Sequence, residues 1–104
     1  RIQMPAVCRG DGEDTDVFHC SLPRRMGRSD NVKVNGVGIS REGHFNSEHL
    51  KPSAGELKRC IKHYAPIESG SSKVKVNGKG CGRVGDNVDG CTSVGSGSEN
   101  VFAG

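Results

Sequence analysis

Tryptophan is absent from this chain, and aromatic residues make up only 4% of it. Few large flat side chains are therefore on hand to anchor a core, where aromatics supply much of the buried area. Apolar residues of all kinds amount to 32%, and no run of them approaches the ~20 residues that cross a bilayer. Nor is there an apolar stretch of signal-peptide type, and Arg1-Ile2-Gln3 reads as a remnant ahead of a natural start at Met4-Pro5-Ala6. Excess charge is missing too. Fifteen Lys and Arg against twelve Asp and Glu leave a net +3, too small and too dispersed for a nucleic-acid footprint. The densest basic cluster, Arg24-Arg25-Met26-Gly27-Arg28, is balanced by the acidic run from Asp11 to Asp16. Both read as solvated surface.

These shortages bound the fold. A chain of 104 residues makes one domain, taken here as 1–104, and a domain this small buries too little apolar surface for a wide margin of stability. Sixteen glycines add conformational entropy to be lost without adding side chains to bury. Such a chain needs a staple, a metal or a partner to become rigid. Disorder is the rival reading of so polar a composition, and the Val-rich units described next argue against it. The five cysteines, Cys8, Cys20, Cys60, Cys81 and Cys91, are an odd number, so they cannot all pair within the chain. Without a secretion signal, thiols or metal-bound sulfurs are expected rather than a disulfide framework.

What the chain does have is repetition. Val32-Lys33-Val34-Asn35-Gly36 recurs letter for letter as Val74-Lys75-Val76-Asn77-Gly78, an offset of 42 residues. The same offset carries Ser29 onto Ser71, Gly38 onto Gly80, Arg41 onto Arg83, Gly43 onto Gly85 and His49 onto Cys91. Alternating Val and polar residues closed by Asn-Gly predict a strand and a tight hairpin turn in each copy. Ser98-Glu99-Asn100-Val101 parallels Ser29-Asp30-Asn31-Val32 and starts a third, truncated copy. The expected architecture is a small, Gly-rich all-β domain in pseudo-threefold repeats. Its repeat-like units are about 4–26, 27–49 and 70–104, with an insert at 50–69. Inside the insert, Ser53 and Glu56 resemble a capping box and Leu57 and Ile61 share a helical spacing. One short helix is expected around 53–64, an irregular excursion being the alternative.

A polar, core-poor domain gains most from a structural zinc, whose binding supplies on the order of 10 kcal/mol in zinc-finger peptides. Zinc takes four ligands in a tetrahedron, mainly Cys sulfur and His nitrogen. The repeat sorts the candidates: His49 and Cys91 share one position, and His19 ends the first unit in the corresponding place. His63 follows, six residues before Ser69-Gly70-Ser71 opens the next strand. The expected set is His19, His49, His63 and Cys91, holding one zinc per chain. Cys20 stands beside His19 as an alternative ligand, and Cys60 is close enough to His63 to replace it. Cys8 and Cys81 have the other common fate of free cysteine, as small buried hydrophobes. His44 aligns with Asp86 and is not counted as a ligand. A Cys–His nucleophile would be the catalytic alternative. Four protein ligands close a zinc site to substrate, so no enzyme activity is expected.

These residues carry a family resemblance. The Asn-Gly strand ends, Arg83-Val84-Gly85-Asp86, Cys91 and the closing Gly97-Ser98-Glu99-Asn100-Val101-Phe102-Ala103-Gly104 resemble PAAR-repeat proteins, in which G-S-x-x-V-x-V-N-G followed by R-x-G-D recurs. The likeness is strongest over 70–104, fair over 27–49 and weakest over 4–20. The chain departs from the pattern where Glu42-Gly43-His44 stands in place of the acid of R-x-G-D. The resemblance implies a cone of short strands with a zinc near its apex, held by three His and one Cys. It implies a base seated on a trimeric β-helical spike, one tip per trimer, the tip being a monomer by itself. The machine would be a contractile phage tail baseplate, within the virion, or a type VI secretion apparatus, and the target a cell envelope. The unusual insert favours the phage baseplate, and the lack of a toxin-sized extension favours a stand-alone tip. No nucleic acid is expected as a partner. The competing class is a free zinc-binding module contacting protein or nucleic acid through Arg24, Arg25 and Arg28.

Overall fold

The computed structural model describes residues 4–18, 20–52, 60–88 and 92–104. Among the described residues, eight short strands form four antiparallel pairs. β1 (Lys33–Val34) pairs with β2 (Val37–Gly38), and β3 (His49–Pro52) with β4 (Cys60–His63). β5 (Lys75–Val76) pairs with β6 (Lys79–Gly80), and β7 (Asn87–Val88) with β8 (Thr92–Ser93). The protein is a small all-β fold, as its alternating Val units predict.

The expected helix around 53–64 is not formed where that stretch is described. Residues 60–63 are strand β4, and 53–59 lie outside the described residues. The local signals there, a capping pattern and a four-residue apolar spacing, favour a helix only weakly. A helix of two or three turns is marginal without a face to pack on. Pairing with β3 satisfies the backbone of 60–63 over four register positions instead, and tertiary pairing overrides propensity.

The twin pentapeptides form twin hairpins. Asn35 and Gly36 have φ of 53° and 79°, and Asn77 and Gly78 have 51° and 83°. Two successive residues at positive φ make the turn whose twist matches that of the flanking strands. The third copy is assembled from both ends of the described chain. Phe102 bridges Ala6, Val7 N donates to Val101 O at 3.0 Å, and Ala103 N donates to Pro5 O at 3.0 Å. Residues 4–9 are therefore the return strand of the copy that begins at Ser98.

With that pairing the repeat becomes a threefold hydrogen-bond pattern. Ser29 N, Ser71 N and Ser98 N donate to the carbonyls of Ile39, Cys81 and Val7, each at 2.8 Å. On the axis, Cys8 N donates to Gly82 O, Gly82 N to Ser40 O, and Ser40 N to Cys8 O, at 3.0, 3.0 and 3.1 Å. Three strands meet there in a closed ring of backbone bonds. The approach is too tight for a side chain at Gly82, where a Cβ would lie 2.5 Å from Ser40 O and 2.7 Å from Cys8 Sγ.

Packing follows the same symmetry in layers. Below the ring, Val7, Ile39 and Cys81 pack with Val34, Val76 and Ala103, one set from each copy. Above it, Cys8, Ala65, Ile67, Val88 and Val94 form the apolar part of the next layer. The rest of that layer is polar. Arg25 and Asp16, both without solvent exposure, pair at 2.9 Å, and Asn46 Nδ2 donates to the same Asp16 oxygen at 2.8 Å. At the far end the hairpin turns dock on neighbouring copies. Asn77 Nδ2 donates to Ser29 Oγ and Asn31 Oδ1 at 3.1 and 2.9 Å, and Asn35 Nδ2 to Asn100 Oδ1 at 3.0 Å. Ser71 Oγ donates to the carbonyl of Gly104, which occupies the position of those two asparagines in its copy. A polar ring closes this end of the molecule.

Candidate functional site

Past the second packed layer lies the end of the molecule that holds the described part of the expected ligand set. There β3 pairs with β4. The register sets His49 directly opposite His63, and their rings meet edge to face with centroids 4.6 Å apart. His49 is buried at 5% exposure, a rare environment for a histidine that serves only as surface. Its Nδ1 lies 2.7 Å from the carbonyl oxygen of Ser47. In the neutral ring that contact places the proton on Nδ1 and the lone pair on Nε2, the outer hydrogen bond that orients a metal-binding histidine.

Described residues near positions 19 and 91 are bonded to one another and to this strand pair. Val17 N donates to Ser93 O at 2.7 Å, and Thr92 Oγ1 donates to Val17 O at 2.9 Å. Leu50 N donates to Ser21 Oγ at 2.8 Å. The segments on either side of 19, and the strand that follows 91, are thereby tied to the same end of the molecule as His49 and His63. His19 and Cys91 themselves lie outside the described residues. Among the described residues, no three His, Cys, Asp or Glu side chains gather as a metal cluster. Of the four sequence candidates, the structure describes two, and it brings those two together.

The remaining cysteines separate by environment. Cys8 and Cys81 are free and fully buried. Burial pushes the Cys8 thiol far up and raises that of Cys81 to about 11, so both stay protonated and pack as small apolar groups. Cys20 is disulfide-bonded. This corrects the expectation that every cysteine would be a thiol or a metal ligand, and in this form Cys20 does not stand in for His19. The physical reason is that a cysteine sulfur can bond to another sulfur or to a metal, and spacing along the chain does not say which. Cys60 was the alternative to His63, and its backbone sits opposite Pro52, three positions along β4 from His63.

His44 has a different role, one its alignment with Asp86 foreshadows. Asp86 Oδ2 accepts from Arg83 N at 2.8 Å, and Asp14 Oδ2 accepts from Arg9 N at 2.7 Å. In the copy that begins at Ser29, His44 Nδ1 accepts from Arg41 N at 3.1 Å. Burial, helped by Arg41 and Arg25, lowers the His44 pKa and keeps the ring neutral, as an acceptor must be. Arg41 is a candidate functional residue outside the expected ligand set. Its signal was present, since the arginine recurs at 9, 41 and 83 while the acid does not.

No family model matches the chain, and a comparison with curated proteins finds none that matches it.

Proposed function

We propose that this chain is a structural tip protein of the PAAR-repeat type. In this reading it caps a trimeric β-helical spike of a contractile injection machine, with one zinc stiffening the narrow end. The observation that carries the reading is the closed backbone ring of Cys8, Ser40 and Gly82 on a pseudo-threefold axis. A single chain with that internal symmetry presents three near-equivalent edges, the arrangement needed to meet one threefold partner with one copy. A trimeric β-helix ends in unpaired strand edges, and a cap removes that liability. The polar ring of Ser29, Ser71 and Ser98 with their docked turns would form the base.

The zinc would sit at the other end, on His19, His49, His63 and Cys91. The cross-strand contact of His49 with His63 and the Ser47 carbonyl behind His49 fit a structural site. Zinc would tie three loops where there is no room for an apolar core, and a four-ligand site leaves no open position for substrate. Phage baseplate is preferred over type VI secretion for the machine, and the cell envelope is the target.

Two measurements test this reading. Protein purified under reducing conditions should carry about one zinc per chain, and His49→Ala or His63→Ala should lose it. Mixed with a trimeric β-helical spike protein, the chain should form a complex of one tip to one trimer by native mass spectrometry. A metal-free wild-type protein sinks the site, and salt-sensitive DNA binding without spike capture sinks the function.

A further inference from the structure

The threefold body contains two grooves that occupy equivalent places, and they differ in charge. The first is lined by Arg9, Glu13, Asn35, Gly97, Glu99 and Asn100 and encloses about 250 Å³. The second is lined by Arg41, His44, Asn77, Arg28, Asp30 and Asn31, with Ser29, and encloses about 500 Å³. Arg9 corresponds to Arg41, Asn35 to Asn77, Gly97 to Arg28, Glu99 to Asp30 and Asn100 to Asn31 along the repeat.

In the first groove the arginine is already satisfied. Arg9 Nε and NH2 donate to Asp14 at 2.8 and 3.0 Å, and NH1 donates to Asn35 Oδ1 at 3.2 Å. Arg83, in the remaining copy, grips Asp86 the same way at 3.1 and 2.8 Å. Among the described residues, Arg41 has no such acid. His44 replaces the carboxylate at the backbone N–H but offers nothing to the guanidinium. Arg41 NH1 donates to Glu42 O at 2.7 Å, whereas its Nε is buried without an acceptor. The neighbouring Glu42 carboxylate is turned away, held by Gly70 N at 2.8 Å. Arg28 adds a second cation, partly balanced by Asp30 at 2.7 Å and Asp11 at 3.7 Å.

We propose that the groove formed by Arg28, Arg41 and His44 is a binding site for a carboxylate supplied by another molecule. The ligand would take the place that Asp14 and Asp86 hold in the other two copies, on the fork of Arg41, with Arg28 and the amide of Asn77 at the rim. A planar, two-oxygen anion matches this fork better than a tetrahedral one, because the chain itself fills both equivalent forks with carboxylates. The site stands on the internal comparison of the three copies and is independent of the spike reading.

The test follows the Arg41 Nε–H resonance in ¹⁵N-labelled protein titrated with sodium acetate, with sodium chloride at equal ionic strength as reference. Acetate should shift that resonance saturably and chloride should not. Arg41→Gln should weaken acetate binding by about tenfold or more, the worth of a charge-assisted hydrogen bond. His44→Asp rebuilds the Arg83–Asp86 arrangement, so it should abolish acetate binding and raise Tm by about 4 °C. Because that variant adds a partner, loss of binding in it does not reflect loss of fold. A short peptide with one glutamate that binds at least tenfold tighter than acetate assigns the carboxylate to a protein partner. A peptide no tighter than acetate assigns it to a small molecule. An equal response to chloride, a stronger response to inorganic phosphate, or undiminished acetate binding in His44→Asp overturns the proposal.

Discussion

Removing Asp16 tests the account of the second core layer. Asp16 and Arg25 have no solvent exposure and pair at 2.9 Å, with Arg25 also donating to Ser40 Oγ and His44 O. Asp16→Ala strands a guanidinium where no water reaches it. Losing one partner of a buried pair costs about 3–5 kcal/mol, a large share of the ~5–15 kcal/mol that a domain of this kind has. With an m-value near 2 kcal/mol/M, the urea midpoint should fall by about 2 M. The molecule also supplies its own control. At the positions equivalent to Asp16 and Arg25, another copy carries Val88 and Ile67, which pack in the apolar part of the same layer. The double variant Asp16→Val with Arg25→Ile should therefore recover at least half of the loss. It should not recover all of it, because Asn46 Nδ2 loses the partner it has in Asp16, at about 1–3 kcal/mol for a group left buried and unsatisfied. The assay is urea unfolding followed by circular dichroism, with the metal content held constant. A single variant that loses less than about 1 kcal/mol, or a double variant less stable than the single, refutes the reasoning.

Further outcomes follow from the same geometry. Gly82→Ala should destabilise by about 1–3 kcal/mol, since the new methyl would meet Ser40 O at 2.5 Å; a urea midpoint at or above wild type would count against the axial ring. Asn77→Gly keeps the positive φ while deleting two inter-copy hydrogen bonds, and should cost about 1–2 kcal/mol by the same measurement. Cys8 and Cys81 should resist iodoacetamide at pH 8 until the protein unfolds, as read by peptide mass mapping. Because burial raises the Cys81 pKa from 9.0 to about 11, its contribution to stability is intact below pH 9. It should be lost as pH climbs from 9 toward 11, where only the unfolded thiol ionises. The opposite sign applies to His44, whose lowered pKa should make stability fall as pH drops below about 6.5.

Several features were legible in the residues alone. The duplicated Val-Lys-Val-Asn-Gly announced paired hairpins, because alternation and an Asn-Gly turn are local properties that need no partner. The parallel between Ser98-Glu99-Asn100-Val101 and Ser29-Asp30-Asn31-Val32 announced a third copy for the same reason. Putting His49 at the repeat position of Cys91 was likewise a matter of counting. Contacts across the chain were another matter. Residues 4–9 read as the start of a first unit, yet they close the copy that begins 94 residues after Met4, at Ser98. Local signals in 53–64 favoured a helix, and pairing with β3 made 60–63 a strand. The fate of each cysteine depended on surroundings: two in the core, one in a disulfide. His44 showed in the sequence as a missing acid. Only the tertiary structure decided that its ring keeps the turn while the Arg41 Nε has no acceptor among the described residues. Local chemistry is written residue by residue along the chain, whereas burial, symmetry and charge balance are properties of neighbours that the chain brings together only by folding.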